Sequence, residues 1–389
     1  MHILRRTWAE VDLTAAEKNF NIIKDKAKGS KVCCVVKADG YGHGAKVLSK
    51  LYESLGADYL AVSNIDEAEE LRDYGIKLPI LILGYTPVDD AKRLIKLKLT
   101  QAVYSLDFAR ALSEKCRELE GTIKVHIKID TGMSRIGFMC QSFPRDEGSV
   151  DEIAEVCGLY GLEAEGIMAH FSVADEGEEG REYTEKQLEN FDYTINALKD
   201  RNIEFDIIHH ANSAGTEDYE NAHKTMVRAG IILYGLAPSG KLAGALPLSP
   251  IMTLKTSVAS VKKIYKGTTI SYGRTFEAKE DMTVATVTIG YADGYFRDFS
   301  NKGYMLIKGK KCRILGRVCM DQTIVDVSDV GDVRIGDEAI VFSATESPTV
   351  DDLASFADTI NYEVVCAVSK RVPRYYQKNS VTVDVMYKL

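Results

Sequence analysis

Short uncharged runs rich in β-branched residues alternate with amphipathic stretches through about the first 240 residues, and this alternation constrains the fold more than any other feature. The strand-like runs lie at 32–36, 59–63, 80–83, 102–104, 123–129, 165–169, 205–209 and 226–234. Between them, 45–55, 66–74, 89–97, 106–119, 151–160 and 183–201 carry apolar residues three or four apart, the period of a helix with one buried face. Such alternation makes the strands parallel, and eight repeats in this length predict a closed TIM-type (β/α)8 barrel. An open doubly wound sheet is the rival. It expects a dinucleotide turn after its first strand, and Gly40-Tyr41-Gly42-His43-Gly44 lacks that glycine spacing.

Past residue 240 the texture changes. Pro238, Gly240, Gly244, Pro247 and Pro250 interrupt regular structure. Short β-branched runs follow at 253–264, 283–289, 305–308, 324–327, 338–342 and 381–385, with one helix expected at 350–357. The reading is an α/β chain of two domains, a barrel over 1–240 and a mainly-β C-terminal domain over 241–389. A net charge of -8 with no basic stripe disfavours a nucleic-acid partner. No apolar stretch reaches the length of a membrane span, so no membrane role is expected. The opening MHILRRTWAEVDL lacks the apolar centre of a signal peptide, and none of the eight cysteines forms a CxxC pair. Reduced, buried thiols in a cytoplasmic protein are expected. The acidic stretch 174–182 reads as a solvated loop.

In a barrel, the C-terminal strand ends form the rim on which sites assemble. The first run ends in Lys37, costly there unless it has a partner or chemistry, and an amine in an apolar setting can form a Schiff base. A lysine that merely reaches solvent is the bland reading. The other run ends carry Lys128 to Arg135, His170, His209 to Ser213, and Arg228-Ala229-Gly230-Ile231. The last offers backbone N–H groups beside a glycine, a phosphate cradle to which Ser213 and Tyr41 can add hydroxyls. Lysine, arginine and phosphate cradle together suggest pyridoxal 5′-phosphate. A metal-dependent barrel hydrolase using His126, His170 and His209 is the weaker alternative, since no carboxylate–histidine motif accompanies them; the expected metal complement is none.

These motifs resemble the bacterial alanine racemase family, the barrel-type enzymes that use pyridoxal phosphate. The resemblance runs from TWAEVDL at Thr7 through VVKADGYGHG, KIDTGMSRIG, MAHFS, HHANSAG, VRAGIILYGL, SYGRTF, IGYADGY, GRVCMDQ and INYEVVC to RVPR at 371–374. It implies a homodimer with shared sites that supplies D-alanine for peptidoglycan. By the resemblance, Lys37 binds the cofactor and Tyr272, from the other subunit, is the second acid/base residue. Arg228 faces the pyridine nitrogen, and His170 links it to Tyr272. Tyr41, Ser213, Gly230, Ile231 and Tyr362 hold the phosphate, with Asn212 beside them. Arg135 and Met320 bind the substrate carboxylate, while Tyr291 and Asp321 line the approach. Lys128 matches a lysine that is carbamylated in some members.

Racemisation explains that inventory. Inverting an α-carbon requires a proton removed on one face and delivered on the other, most simply by two fixed bases. Tyrosine is a poor base at its unperturbed pKa of about 10, so a cationic neighbourhood is expected around Tyr272. A guanidinium never readily gives up a proton, so Arg228 leaves the ring nitrogen unprotonated, which discourages transamination. Related barrel decarboxylases carry a carboxylate there, so decarboxylation is disfavoured. Two departures from the family, Phe296 and Ser134, leave substrate breadth open, although Tyr362 favours alanine over serine. A serine-preferring or broad racemase and a non-catalytic pyridoxal phosphate carrier are the remaining alternatives.

Overall fold

The computed structural model describes residues 6–141 and 147–387. It divides into two compact units, Glu17–Gly40 with Ala45–Leu248, and Met1–Ala16 with Tyr41–Gly44 and Ser249–Leu389.

The first unit is the expected barrel. Its strands are Lys31–Val35, Tyr59–Val62, Ile80–Ile82, Thr100–Val103, Ile123–Asp130, Leu162–Met168, Ile207–His209 and Met226–Ala229, each parallel to its neighbours. Met226–Ala229 pairs with Lys31–Val35. On its other side, Thr225 N–H donates to Ile208 O and Arg228 N–H to Ala211 O, both at 3.0 Å, which brings the last strand against the seventh. Tyr59–Val62, Ile80–Ile82 and Thr100–Val103 are buried at every residue, as strands covered on both faces must be. The helices show why their sequences fold so. Leu106–Glu118 starts at Ser105, whose hydroxyl accepts from Phe108 N–H, and it buries Phe108, Leu112 and Cys116 at helical spacing. The run expected at 226–234 is strand only to Ala229. Gly230, at φ −116° and ψ −103°, turns the chain into a 3-10 helix, Ile231–Tyr234. The stretch read as a loop at 174–182 is already helical from Glu178, the start of Glu178–Lys199.

In the second unit the long strand Met252–Ile264 organises the sheet. It pairs antiparallel with Thr7–Asp12, Met282–Val287 and Glu338–Phe342. A cluster of Ile264, Ile270, Ala278, Met282, Val284 and Leu315 packs with Phe276 and Ile324. The sequence reading assigns the N-terminal residues to the barrel domain 1–240. The structure corrects this: Thr7–Asp12 is a strand of the second sheet, between Met252–Ile264 and Arg374–Lys378. The helix expected at 350–357 is present as Val350–Ala357, and a second, Asn361–Ala367, follows it. None of the eight cysteines is in a disulfide. Among the described residues no helix is long and apolar enough to cross a membrane.

Candidate active site

Lys37 follows the first barrel strand directly. Val36 N–H extends the ladder to Ala61 O at 2.9 Å, and Lys37 emerges half-buried. The backbone then turns left-handed: Ala38, Asp39 and Gly40 have φ/ψ of 52/48°, 53/48° and 62/46°, and Tyr41 has φ 51°. Each non-glycine in that region costs on the order of 1–2 kcal/mol. The surroundings hold it there. Gly40 N–H donates to Val36 O (2.8 Å), and Asp39 Oδ1 accepts from Ala45 N–H (3.0 Å). Glu67 uses both oxygens, Oε1 accepting from Ala38 N–H and Oε2 from Ser63 N–H, each at 2.7 Å. Sequence reasoning missed Asp39 and Glu67. The glycine-rich turn after a buried strand was the available signal, but it did not reveal the handedness.

Arg228 lies inside the barrel, buried, on Met226–Ala229. Its guanidinium donates to five acceptors: the carbonyls of Ala169 (2.7 Å), His209 (3.0 Å) and His210 (3.1 Å), and the Nδ1 atoms of His209 (3.1 Å) and His170 (3.2 Å). Burial lowers its pKa to about 10, so it is still a cation at neutral pH. Burial first, then the Arg228 charge, push His170 and His209 well below the usual histidine range, so both are neutral. His209 Nε2 lies 2.9 Å from His126 Nδ1, which continues the chain of imidazoles. His210 stacks on Phe171, ring centroids 3.8 Å apart, and serves packing. Gly230 N–H donates to Ser213 Oγ at 3.0 Å, which leaves the Ser213 hydroxyl hydrogen to be offered to an anion. Asn212 caps Ser213–Asp218 through Oδ1, which accepts from Gly215 N–H at 2.9 Å. Ile231 opens the following 3-10 turn.

The fifth barrel strand ends in Asp130, whose Oδ1 accepts from Gly132 N–H and Ser134 N–H at 3.0 Å. That holds the turn leading to the exposed Arg135. Lys128 is buried, its Nζ donating to Ile129 O at 2.8 Å. Burial, then the charge of Arg228, lowers its pKa to about 7. The metal alternative finds its histidines engaged otherwise: His126 and His209 bond each other, and the Arg228 cation bonds both His209 and His170. Among the described residues no three histidine, cysteine or carboxylate side chains are grouped to hold a metal.

The second unit holds the remaining residues. Tyr41 and Tyr362 have ring centroids 6.0 Å apart. Burial pushes the Tyr41 phenol well above the ordinary tyrosine value, so it acts as a neutral hydroxyl. Gly42 O accepts from Arg374 Nε (3.0 Å) and Nη2 (2.8 Å), a pair of bonds that sequence reasoning also missed. Tyr272 is 68% exposed on this chain, on a turn where Ser271 has φ 63° and ψ −175°. Ser271 Oγ donates to Arg317 O at 2.5 Å, which secures that strained residue beside Tyr272. Tyr291 and Met320 are exposed as well. Asp321 Oδ1 accepts from Arg371 Nη2 at 2.6 Å, and Arg371 Nε donates to the buried Asp293 at 2.8 Å. Phe296, one of the two departures, stacks on Phe299 at 5.3 Å.

A parallel barrel with a strand-end lysine, a buried guanidinium and a Ser–Gly cradle, followed by a separate β unit, defines a class of two-domain barrel enzymes. The profile "Alanine racemase, N-terminal domain" matches residues 11–238, and "Alanine racemase, C-terminal domain" matches 251–376. Alanine racemase 1 of Clostridium acetobutylicum is 43% identical over 385 residues, 98% of both chains. The solved alanine racemase of Clostridium difficile 630 superposes with a TM-score of 0.93 at 42% identity, covering 99% of each chain. That of Bacillus anthracis, with bound L-Ala-P, gives a TM-score of 0.92 at 34% identity, covering 100% of this chain and 99% of its own. The chain belongs to the alanine racemase family.

Proposed function

We propose that the protein interconverts L- and D-alanine, with pyridoxal 5′-phosphate as cofactor, in a cytoplasmic homodimer whose D-alanine goes to peptidoglycan. The observation that carries this reading is the full-length family match joined to the buried Arg228, a donor-only cation among five acceptors. The residues fit the cofactor. Ser213, whose oxygen is occupied by Gly230 N–H, presents its hydroxyl hydrogen to a phosphate, with Gly230, Ile231, Asn212, Tyr41 and Tyr362 as the rest of that set. Arg228 would face the ring nitrogen without surrendering a proton to it. When bound, the cofactor draws electrons from the α-carbon of an attached amino acid and so acidifies its α-hydrogen.

The chain's own residues do the rest. Lys37 would hold the cofactor, and its amine would exchange the α-proton on one face. Tyr272 of the second copy does so on the other face. Its exposure here, with that of Tyr291 and Met320, suits residues presented to another copy. Arg135 and Met320 N–H orient the substrate carboxylate, and Asp321 and Tyr291 line its approach. His170, half-buried and kept neutral, links Arg228 toward Tyr272. Lys128 is the site proposed for carbamylation, since its lowered pKa supplies the unprotonated amine that addition of carbon dioxide requires. Eight cysteines, none of them in a disulfide, accord with a reducing compartment. The test is a chiral assay of alanine, serine and other small amino acids in deuterated water. L-Alanine should lose optical activity and gain α-deuterium faster than serine does. Holoprotein that leaves alanine unchanged would be a carrier, and faster serine turnover would move the substrate.

A further inference from the structure

Arg228 is a buried cation, and a buried charge needs a counter-charge. Among the described residues its hydrogen-bond partners include no carboxylate. A run of side-chain contacts nevertheless leads to one. A guanidinium only donates, so His209 Nδ1 must accept, and its hydrogen must sit on Nε2. His209 Nε2–H then donates to His126 Nδ1 at 2.9 Å, which places the His126 hydrogen on its own Nε2. That Nε2 is fully buried, makes no hydrogen bond among the described residues, and faces Glu165 Oε2 at an ion-pair distance of 3.5 Å.

The backbone is shaped for this contact. The register between Ile123–Asp130 and Leu162–Met168 runs Val125↔Ala164, then His126↔Gly166, so Glu165 is the extra residue of a bulge. A bulge re-aims a side chain. Gly166 clears the space: a Cβ there would stand 2.8 Å from both Nε2 and Cδ2 of His126. Tyr59 OH donates to Glu165 Oε2 at 2.6 Å, while Lys124 pairs with Oε1. The His126 contact above all, then Lys124 and Tyr59, outweighs burial and holds the Glu165 carboxyl at about 2.

We propose that Glu165 is the counter-charge of Arg228, acting through His209 and His126 as two neutral imidazoles locked in their Nε2–H tautomers. Glu165 is thus a positioning residue: hydrogen bonds aligned in one direction polarise one another, and the carboxylate firms the lone pair that His209 offers Arg228. The consequence for cofactor binding rests on the functional reading above, but the tautomers do not. They are read whether or not the protein racemises anything, so the two can fail separately.

The test is long-range 1H–15N correlation spectroscopy of the full chain labelled with [15N]histidine, for wild type, Glu165→Leu and Glu165→Gln. In wild type, His126 and His209 should both be neutral with the hydrogen on Nε2; an Nδ1–H tautomer at either overturns the proposal. In Glu165→Leu, the His126 Nε2–H should exchange with solvent about tenfold faster once the carboxylate facing it is gone. Unchanged exchange there overturns it too. Glu165→Gln keeps an acceptor but removes the charge, so both tautomers should persist while the His209 Nδ1 resonance moves. A His209 spectrum identical to wild type in that variant, which also serves if Glu165→Leu does not fold, shows that no charge is relayed.

Discussion

Gly42→Ala tests whether the short segment Tyr41–Gly44 governs the position of Tyr362. Gly42 has φ +79°, and a Cβ added there would lie 2.0 Å from Val365 O and 3.0 Å from Val365 C. Both atoms are backbone, so no rotamer change relieves the clash. Helix Asn361–Ala367, which carries Tyr362, would have to retreat by about 1 Å to restore even a tight contact. Gly42 O is meanwhile fixed by two bonds from Arg374, so the turn yields less readily than the helix. A left-handed alanine costs roughly 1–2 kcal/mol and overpacking roughly 1–3, together about 2–5 kcal/mol of stability. A displacement of that size in a positioning group is worth on the order of a hundredfold in rate. Urea denaturation at fixed protein concentration and equilibrium dialysis with pyridoxal phosphate check this. The variant should unfold at lower urea and bind the cofactor more weakly. A stability within about 0.5 kcal/mol of wild type, the range of neutral surface changes, with unaltered cofactor affinity, would show that this turn does not position Tyr362.

The buried Lys128 gives a pH signature. Its folded pKa, about 7, lies below the unfolded lysine value, so between the two the unfolded chain binds more protons and stability rises with pH. In buffer free of carbon dioxide that rise should reach at most about 1.4 kcal/mol per pH unit and should vanish in Lys128→Met; an identical slope in the variant contradicts it. Tyr272→Phe should impair α-proton exchange from one alanine enantiomer far more than from the other, measured by deuterium uptake; equal losses count against a one-face role. Glu67→Ala removes the acceptor of both Ala38 and Ser63 N–H and should destabilise the protein by about 1–3 kcal/mol, with slower borohydride trapping of the cofactor on Lys37. Trapping at the wild-type rate would show that the left-handed turn does not need Glu67.

The barrel was legible because its signal is local: a buried strand is an uncharged β-branched run wherever it pairs. The strand Thr7–Asp12 was not, since Thr7 pairs with Thr256 and nothing nearby in sequence reports so distant a partner. Helix Asn361–Ala367 was hidden by its own β-branched pair, Val364-Val365, which reads as strand until packing overrides propensity. At the site, the donors and strand ends could be named from sequence. Their supports could not: Glu67, Asp39, Arg374 and Glu165 look like ordinary surface charges until the turns and the bulge aim them.

In the proposed mechanism an amine from one copy and a phenol from another act on opposite faces of one substrate. Inactive Lys37→Ala and inactive Tyr272→Phe, mixed in equal amounts with subunit exchange verified, test it most directly. In a two-fold dimer half the molecules become hybrids with one intact site each, so activity should return to about a quarter of wild type. No recovery after complete exchange would mean that the two groups do not share a site.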